Sequence, residues 1–199
     1  MNLKKLMFIF VLICIIFFSI FYYKNQLFGN NKNINQKEIV DHISKYTEKY
    51  EANIDVKVIS NKNENYYKMF QKVDNINSKY IINSPESIKG MTIELSNNNL
   101  KITNTQINME KVYENYEFAL NNNLFLNTFI NDYKNNESKN YEQNDEIILE
   151  TKLSKTSNTY IKYKELHLDK KTMLPKEMII KDNTKKTCIS IIYNDIKIK

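Results

Sequence analysis

The side chains that most often carry catalysis or bind metal ions are scarce in this chain. It has two histidines, His42 and His167, and two cysteines, Cys14 and Cys188. A zinc site needs three or four such ligands brought together at short, characteristic spacings, and these four residues are far apart in the sequence. We therefore expect neither a bound metal ion nor a cofactor.

Other catalytic patterns are absent as well. A phosphate-binding loop needs several glycines, and the chain has only Gly29 and Gly90. The neighbouring carboxylates Asp145 and Glu146 lie in a polar segment that is typical of a solvated surface. His167 alternates with Ile161 along an apparent strand, which predicts a structural histidine that faces the core. The sequence thus indicates a protein that is not an enzyme.

The N-terminal residues 6–23 contain no charged side chain and a single hydroxyl, that of Ser19. Eighteen residues form a helix of about 27 Å, close to the ~30 Å hydrocarbon core of a bilayer. Lys4 and Lys5 precede this run, so we expect a cytoplasmic N-terminus and an extracytoplasmic domain. The residues expected to anchor the chain in the cell membrane are Leu6, Phe8, Phe10, Leu12, Ile15, Phe17, Ile20, Tyr22 and Tyr23.

Three fates remain open for this segment: retention as an uncleaved anchor, cleavage as a signal peptide, and lipidation. Signal peptides have a shorter apolar region that ends in small residues, whereas this run ends in Tyr22 and Tyr23. Cys14 lies in the middle of the run and is preceded by Ile13, which does not fit a lipidation site. Retention is favoured, with an anchor at 1–24, a polar tether at 25–36 and one domain at 37–199.

The charge distribution argues against nucleic-acid binding. The 29 basic residues are all lysines and stand against 23 acidic residues, for a net charge of +6. They are spread along the chain, whereas nucleic-acid binders cluster their charge and use arginine for bidentate contacts. Asparagine is abundant and tolerates the left-handed backbone conformation, so we expect it to supply the turns.

Hydrophobic periodicity predicts an α+β domain. Apolar residues at helical spacing predict a helix at 36–50, and Leu126, Phe129, Ile130 and Tyr133 predict a second one, capped by an asparagine among residues 121–123. The period elsewhere is two, and the segment 135–144 is polar enough to predict a mobile surface loop. Nine to eleven strands in an antiparallel meander should curl into an open barrel covered by the two helices. The predicted strands are 54–58, 66–73, 79–84, 91–95, 100–102, 146–153, 160–168, 176–181 and 187–197.

The strand periodicity also predicts an apolar concave face. Tyr67 and Met69 alternate along one strand, and Met91, Ile93 and Leu95 alternate along another. Such residues would line either a closed core or a pocket for a lipid.

The chain from about residue 39 to its end resembles the LolA-like carrier superfamily, and within it the GerS germination lipoproteins of spore-forming anaerobes. The resemblance implies a curved, half-open antiparallel barrel covered by helices. It also implies a non-catalytic protein of the spore or forespore envelope that supports a peptidoglycan amidase. Cys14 departs from the family's lipidation site, and an uncleaved helix would replace the lipid. The stretches that carry the resemblance are 66–73, 79–90 (KYIINSPESIKG), 91–102, 168–175 (LDKKTMLP), 178–182 and 191–196.

Four functions follow as hypotheses. The first is a membrane-tethered module that binds a protein, with an exposed strand edge that could also pair with a second copy as a homodimer. The second is a carrier that binds a lipid or lipopeptide on its concave face. A sensor domain that acts through a separate partner and a structural envelope protein are the others.

Overall fold

The computed structural model describes residues 36–60, 62–75, 77–96, 98–116, 124–153 and 161–199. All of them belong to one compact unit. The predicted anchor at 1–24 and residues 25–35 of the predicted tether lie outside the described residues. Neither helix within the described ranges is long and apolar enough to cross a bilayer.

The described residues form two α-helices, eleven β-strands and a short 3₁₀ turn at Glu86–Ile88. The helices are α1 (Gln36–Thr47) and α2 (Leu126–Asn135). The first six strands are β1 (Lys49–Ile59), β2 (Glu64–Asp74), β3 (Asn77–Ser84), β4 (Met91–Ser96), β5 (Asn99–Asn104) and β6 (Met109–Tyr113). The others are β7 (Glu137–Gln143), β8 (Glu146–Lys152), β9 (Tyr163–Asp169), β10 (Pro175–Lys181) and β11 (Thr187–Ile198).

The strands form one antiparallel sheet in the order β6-β5-β4-β3-β2-β1-β11-β10-β9-β8-β7. Consecutive strands pair within each of two meanders, β1–β6 and β7–β11, and the pairing of β1 with β11 joins the two meanders at the centre. The sheet is open, with β6 at one edge and β7 at the other. This is the predicted fold class, a large antiparallel sheet with two helices.

The helices form where the apolar spacing predicts them, and their buried stripes cover one face of the sheet. Ile39 and Ile43 of α1 are buried in the same cluster as the four predicted core residues of α2. The first helix ends earlier than predicted, because Tyr50 belongs to β1 and its side chain is fully buried in the core.

A side chain of the sheet takes part in capping α2. Phe125 occupies the N-cap position without a side-chain hydrogen bond, and the Leu126 N–H donates to Tyr50 Oη at 3.3 Å. Gln71 connects the same region, since its Oε1 accepts from Tyr50 Oη at 2.8 Å and its Nε2 donates to the Leu124 carbonyl at 3.1 Å. The asparagine cap predicted among residues 121–123 is therefore wrong.

The side chains of alternate residues pack beneath the helices on the inner face of the sheet. The opposite, outer face carries ion pairs between adjacent strands, for example Lys79 Nζ with Glu94 Oε1 at 2.6 Å and Lys101 Nζ with Glu110 Oε2 at 3.0 Å. One buried face and one charged face are what the period of two predicts. The inner-face residues of the central strands in the main core cluster include Ala52, Ile54, Val56, Val73, Leu166, Met178 and Ile191.

Two sequence predictions are wrong in this part of the fold. The segment 135–144 is mostly strand β7, because an edge strand can satisfy its pairing on one side while its side chains remain polar. His167 lies on the outer face, because Leu166 and Leu168 occupy the inward positions of β9. Ile161 lies before the first residue of β9, so its spacing from His167 does not show which face of the strand His167 occupies.

Candidate functional site: the edge of strand β6

The predicted concave-face residues lie on the inner face of the sheet. Leu95 is buried, while Tyr67, Met69 and Ile93 are partly buried and pack against the main core cluster. Met91 is partly buried and follows the same parity along β4 as Ile93 and Leu95. The structure thus brings the two predicted groups together on one face. Their role as contacts for a lipid stays a prediction.

The centre of this inner face is filled by protein. Ile54, Leu149, Leu166, Met178 and Ile191 are each at most 1% exposed and belong to one cluster with the residues of both helices. Closely packed side chains of this kind form a stabilising core. The helices therefore close the centre of the inner face. The outer face, the two edges and the half-buried inner side of β4 and β5 remain for a partner or ligand.

Strand β6 combines an open edge with exposed apolar side chains. Among the described strands it pairs only with β5, so its other side presents main-chain groups that a further strand could pair with. Ile107, Val112 and Tyr113 are 67%, 48% and 38% exposed. They are three of the five large hydrophobic side chains that are exposed in the described part of the chain.

Aromatic and cationic side chains extend this apolar edge. The ring centroids of Tyr113 and Tyr116 lie 6.1 Å apart, and the Lys111 ammonium is 5.1 Å from the Tyr113 centroid. Aromatic side chains such as tyrosine are enriched where proteins bind one another. We refer to Ile107 and strand β6 together as the β6 edge.

In the described part of the chain, the opposite edge strand carries none of the exposed large hydrophobic side chains. Strand β7 carries charged residues that pair with β8, with Lys139 Nζ 3.1 Å from Glu150 Oε2 and Glu137 Oε2 3.3 Å from Lys152 Nζ. Charged side chains on an edge strand discourage pairing with another chain. Strand β6 carries the charged residues Glu110 and Lys111 as well, so the difference between the two edges is the exposed apolar side chains of Ile107, Val112 and Tyr113. On that ground the β6 edge is the candidate site where an extended segment could add to the sheet.

The remaining candidates for chemistry are held in structural contacts. His167 Nδ1 lies 2.9 Å from Glu146 Oε2, and its Nε2 lies 3.7 Å from Glu165 Oε2. Lys176 and Lys181 pair with Glu146 and Glu165, each at 2.5 Å. The neighbouring Glu165 and Glu146 carboxylates raise the pKa of His167. The pKa of Glu165 is lowered by its contacts with His167 and Lys181.

Two further observations concern Cys188 and the arrangement of possible metal ligands. Cys188 is half-buried, and this burial raises the pKa of its thiol. Within the described ranges, no group of three or more His, Cys, Asp or Glu side chains is arranged to hold a metal ion.

Sequence reasoning missed the β6 edge. The strand is short, and nothing in its five residues shows that it ends the sheet. The available signal was the run of apolar residues at 107, 109, 112 and 113 between two stretches of polar residues.

No protein-family model and no curated protein matches the sequence of this chain. Solved structures do match its fold. An uncharacterized conserved protein from Thermus thermophilus is 9% identical with a TM-score of 0.55, over 83% of this chain and 88% of that one. A chain in the complex of the CwlD amidase from Clostridioides difficile with the GerS lipoprotein is 22% identical with a TM-score of 0.53, over 85% of this chain and 99% of that one.

A LolA superfamily protein from Nitrosomonas europaea is 13% identical with a TM-score of 0.46, over 83% of this chain and 94% of that one. The likeness to the Thermus protein and to the amidase–lipoprotein complex establishes a shared fold. The open antiparallel sheet with two helices agrees with the fold class that the sequence predicts. Membership of the LolA-like superfamily, and of the GerS family within it, stays a prediction.

Proposed function

We propose that this chain is a non-catalytic envelope module that binds an exported peptidoglycan amidase during spore germination. The observation that carries the proposal is the fold shared with a chain of an amidase–lipoprotein complex, across 99% of that chain. The match spans this chain's sheet and helices rather than a fragment of them, because it covers 85% of the sequence.

The β6 edge is the surface that we assign to this partner. Its main-chain groups can pair with an extended segment, and Val112 and Tyr113 can contribute apolar contacts on the two faces of that added strand. The partner's side chains need not be known for this geometry, since β-strand addition depends first on the backbone.

The proposed location is the outer side of a membrane. The apolar run 6–23 would hold the chain there, with its N-terminus in the cytoplasm and its sheet domain outside, in the spore or forespore envelope. A tether of this kind would keep a bound amidase close to the peptidoglycan that it modifies.

The test compares edge variants of the full-length chain, purified in a mild neutral detergent from sporulating cells of its own host. Val112→Lys places a charge on the β6 edge and should weaken amidase co-purification at least tenfold. Gln143→Lys makes the same charge change on β7, where the side chain is also exposed, and should leave co-purification unchanged. A photo-crosslinker at position 112 should join the amidase, and one at position 143 should not.

The outcomes separate the parts of the proposal. Absence of any amidase from the wild-type preparation contradicts the function. Equal co-purification by both variants contradicts the β6 edge as the surface. Crosslinking from position 112 to a second copy of the chain would assign this edge to a homodimer instead.

A lipid carrier is the second candidate, and one observation favours it. Met91, Ile93, Leu100 and Ile102 on the inner side of β4 and β5 are only half-buried, unlike the packed centre of the sheet. An acyl chain could cover them. Native mass spectrometry of the same preparation discriminates, because a carrier would retain an added mass of several hundred daltons, whereas the binding module would carry an amidase at fixed stoichiometry.

A further inference from the structure

A polar cavity of about 280 Å³ lies at the other end of the sheet from the β6 edge, where β7, β8 and β9 meet the β10–β11 turn. We call it the lysine pocket. Three lysines and two glutamates leave its lining with a net positive charge. Its charged and aromatic lining residues are Glu137, Lys139, Glu150, Lys152, Tyr163 and Lys185.

Tyr163 is the centre of this arrangement. It is paired in register with Lys152 of β8, so the two side chains stand next to each other on the outer face of the sheet. The Lys185 ammonium lies 5.3 Å from the centroid of the Tyr163 ring. Lys152 and Lys185, which come from separate segments, therefore line the same pocket as Tyr163.

The β10–β11 turn fixes the backbone of Lys185. Asp182 Oδ1 accepts hydrogen bonds from the backbone N–H groups of Thr184 at 2.8 Å and Lys186 at 2.9 Å. Lys185 itself has a left-handed φ of 66°, which these bonds help to maintain. In the described part of the chain, no carboxylate lies within ion-pair distance of its ammonium, so the positive charge is available to a ligand.

The other two lysines differ in how firmly they are held. Glu150 is mostly buried, and its pair with Lys139 at 3.1 Å neutralises both charges. Lys152 pairs at 3.3 Å with Glu137, which is 80% exposed. An exposed pair of this kind contributes little to stability, so Lys152 can exchange Glu137 for a better acceptor at little cost. The pocket thus presents two ammonium groups, those of Lys185 and Lys152, to a ligand.

We propose that the lysine pocket binds a phosphate group, either as free phosphate or as the headgroup of an anionic phospholipid. Lysines bind phosphate as point charges, and a phosphate has enough oxygens to accept from both ammonium groups and from the Tyr163 hydroxyl at once. The pocket lies at the opposite edge from the proposed partner surface, so either proposal can fail without the other.

The test uses the full-length chain in a neutral detergent, with calorimetric titration of inorganic phosphate at constant ionic strength. Constant salt is needed because exposed charges are screened. Lys185→Gln should weaken phosphate binding at least tenfold, and Lys185→Arg should largely preserve it. Lys68→Gln is the matched control, since it removes one charge from an exposed position on β2 and should change the affinity by less than twofold.

A second titration compares soluble short-chain phosphatidylglycerol with short-chain phosphatidylcholine. Tighter binding of phosphatidylglycerol than of inorganic phosphate assigns the pocket to a lipid headgroup, and equal or weaker binding assigns it to free phosphate. The proposal is overturned if wild-type protein shows no saturable binding of either probe at millimolar concentration. It is also overturned if Lys185→Gln and Lys68→Gln weaken binding equally, because that result would reflect overall charge alone.

Discussion

His167 lies between two carboxylates on the outer face of the sheet, and this environment couples its protonation to folding. Glu165 and Glu146 raise the pKa of His167 above its ordinary value of about 6.5. Protonated His167 therefore stabilises the folded state. That stabilisation is fully present below about pH 6.5 and is lost as the pH rises through the pKa of the folded state.

We accordingly expect the free energy of unfolding to fall as the pH rises above about 6.5. One proton limits the slope to about 1.4 kcal/mol per pH unit. Urea unfolding at a series of pH values measures this slope of the free energy of unfolding against pH. His167→Gln should flatten the slope in this range, and His42→Gln, which removes the other histidine, should leave it in place. A slope that persists in His167→Gln would contradict this account.

The two glutamates act in the opposite direction at acid pH. Because contacts with His167 and Lys181 lower the pKa of Glu165, its contribution is present above about pH 4.5 and is lost on further acidification. Contacts with Lys176 and His167 lower the pKa of Glu146 in the same way. The network around His167 is therefore most stabilising between about pH 4.5 and pH 6.5.

Asparagine supplies the turns, as the sequence predicts. Five of the eight described non-glycine residues with positive φ are asparagines. The left-handed conformation costs most residue types about 1–2 kcal/mol, and asparagine compensates part of that cost with local hydrogen bonds. The exceptions, Asp145, Met173 and Lys185, depend on contacts from neighbouring residues, which a sequence pattern does not reveal.

Helix α2 is attached to the sheet by a buried ion pair as well as by its apolar stripe. Lys164 on the inner face of β9 is fully buried and contacts the Asp132 carboxylate. Burial lowers the pKa of Lys164, and Asp132 opposes that shift. Thr151 adds a hydrogen bond from its hydroxyl to the Asp132 carbonyl at 3.3 Å. The last turns of the helix are thus tied to β8 and β9.

We expect Asp132→Ala to destabilise the fold by about 3 kcal/mol, because it leaves the Lys164 ammonium buried without its partner. Lys164→Met should cost less, since it removes the buried charge and keeps most of the side-chain volume. The double variant should recover much of the loss. Denaturant unfolding of the three variants measures these values, and a double variant that is no more stable than Asp132→Ala would show that the pair is not the cause.

At the scale of secondary-structure elements, sequence periodicity identifies the strands and helices that bury apolar side chains and misses those that do not. Strands such as β1 and β4 are identified because apolar residues occupy alternate positions on the inner face of the sheet. Strand β7 has no such pattern and was expected to be a loop, because at an edge the polar residues remain solvated. The boundary of α1 was misjudged because Tyr50 continues the helical spacing although β1 has already begun.

At the scale of the whole molecule, strand order decides where partners can bind. The sequence predicts an antiparallel meander, but only the pairing of β1 with β11 makes β6 and β7 the edges. The candidate site could not be located before that pairing was known, because an edge is defined by the absence of a neighbour. The lysine pocket depends likewise on segments that are distant in sequence, since Tyr163 and Lys185 meet only in the sheet.

The proposed function also depends on attachment to a membrane, which residues 6–23 are expected to provide. We predict that the full-length chain remains with the membrane fraction of its host after alkaline carbonate extraction. Ile13→Lys combined with Phe17→Lys should transfer it to the soluble fraction, because a lysine at the centre of a membrane helix costs about 2.5–3.5 kcal/mol. Leu27→Lys combined with Phe28→Lys adds the same charge in the tether and should have no such effect. Intact-mass measurement of the extracted chain then distinguishes the remaining alternatives. Loss of the N-terminal segment would indicate cleavage, and an added acyl mass on Cys14 would indicate lipidation. Either result would contradict an uncleaved helical anchor.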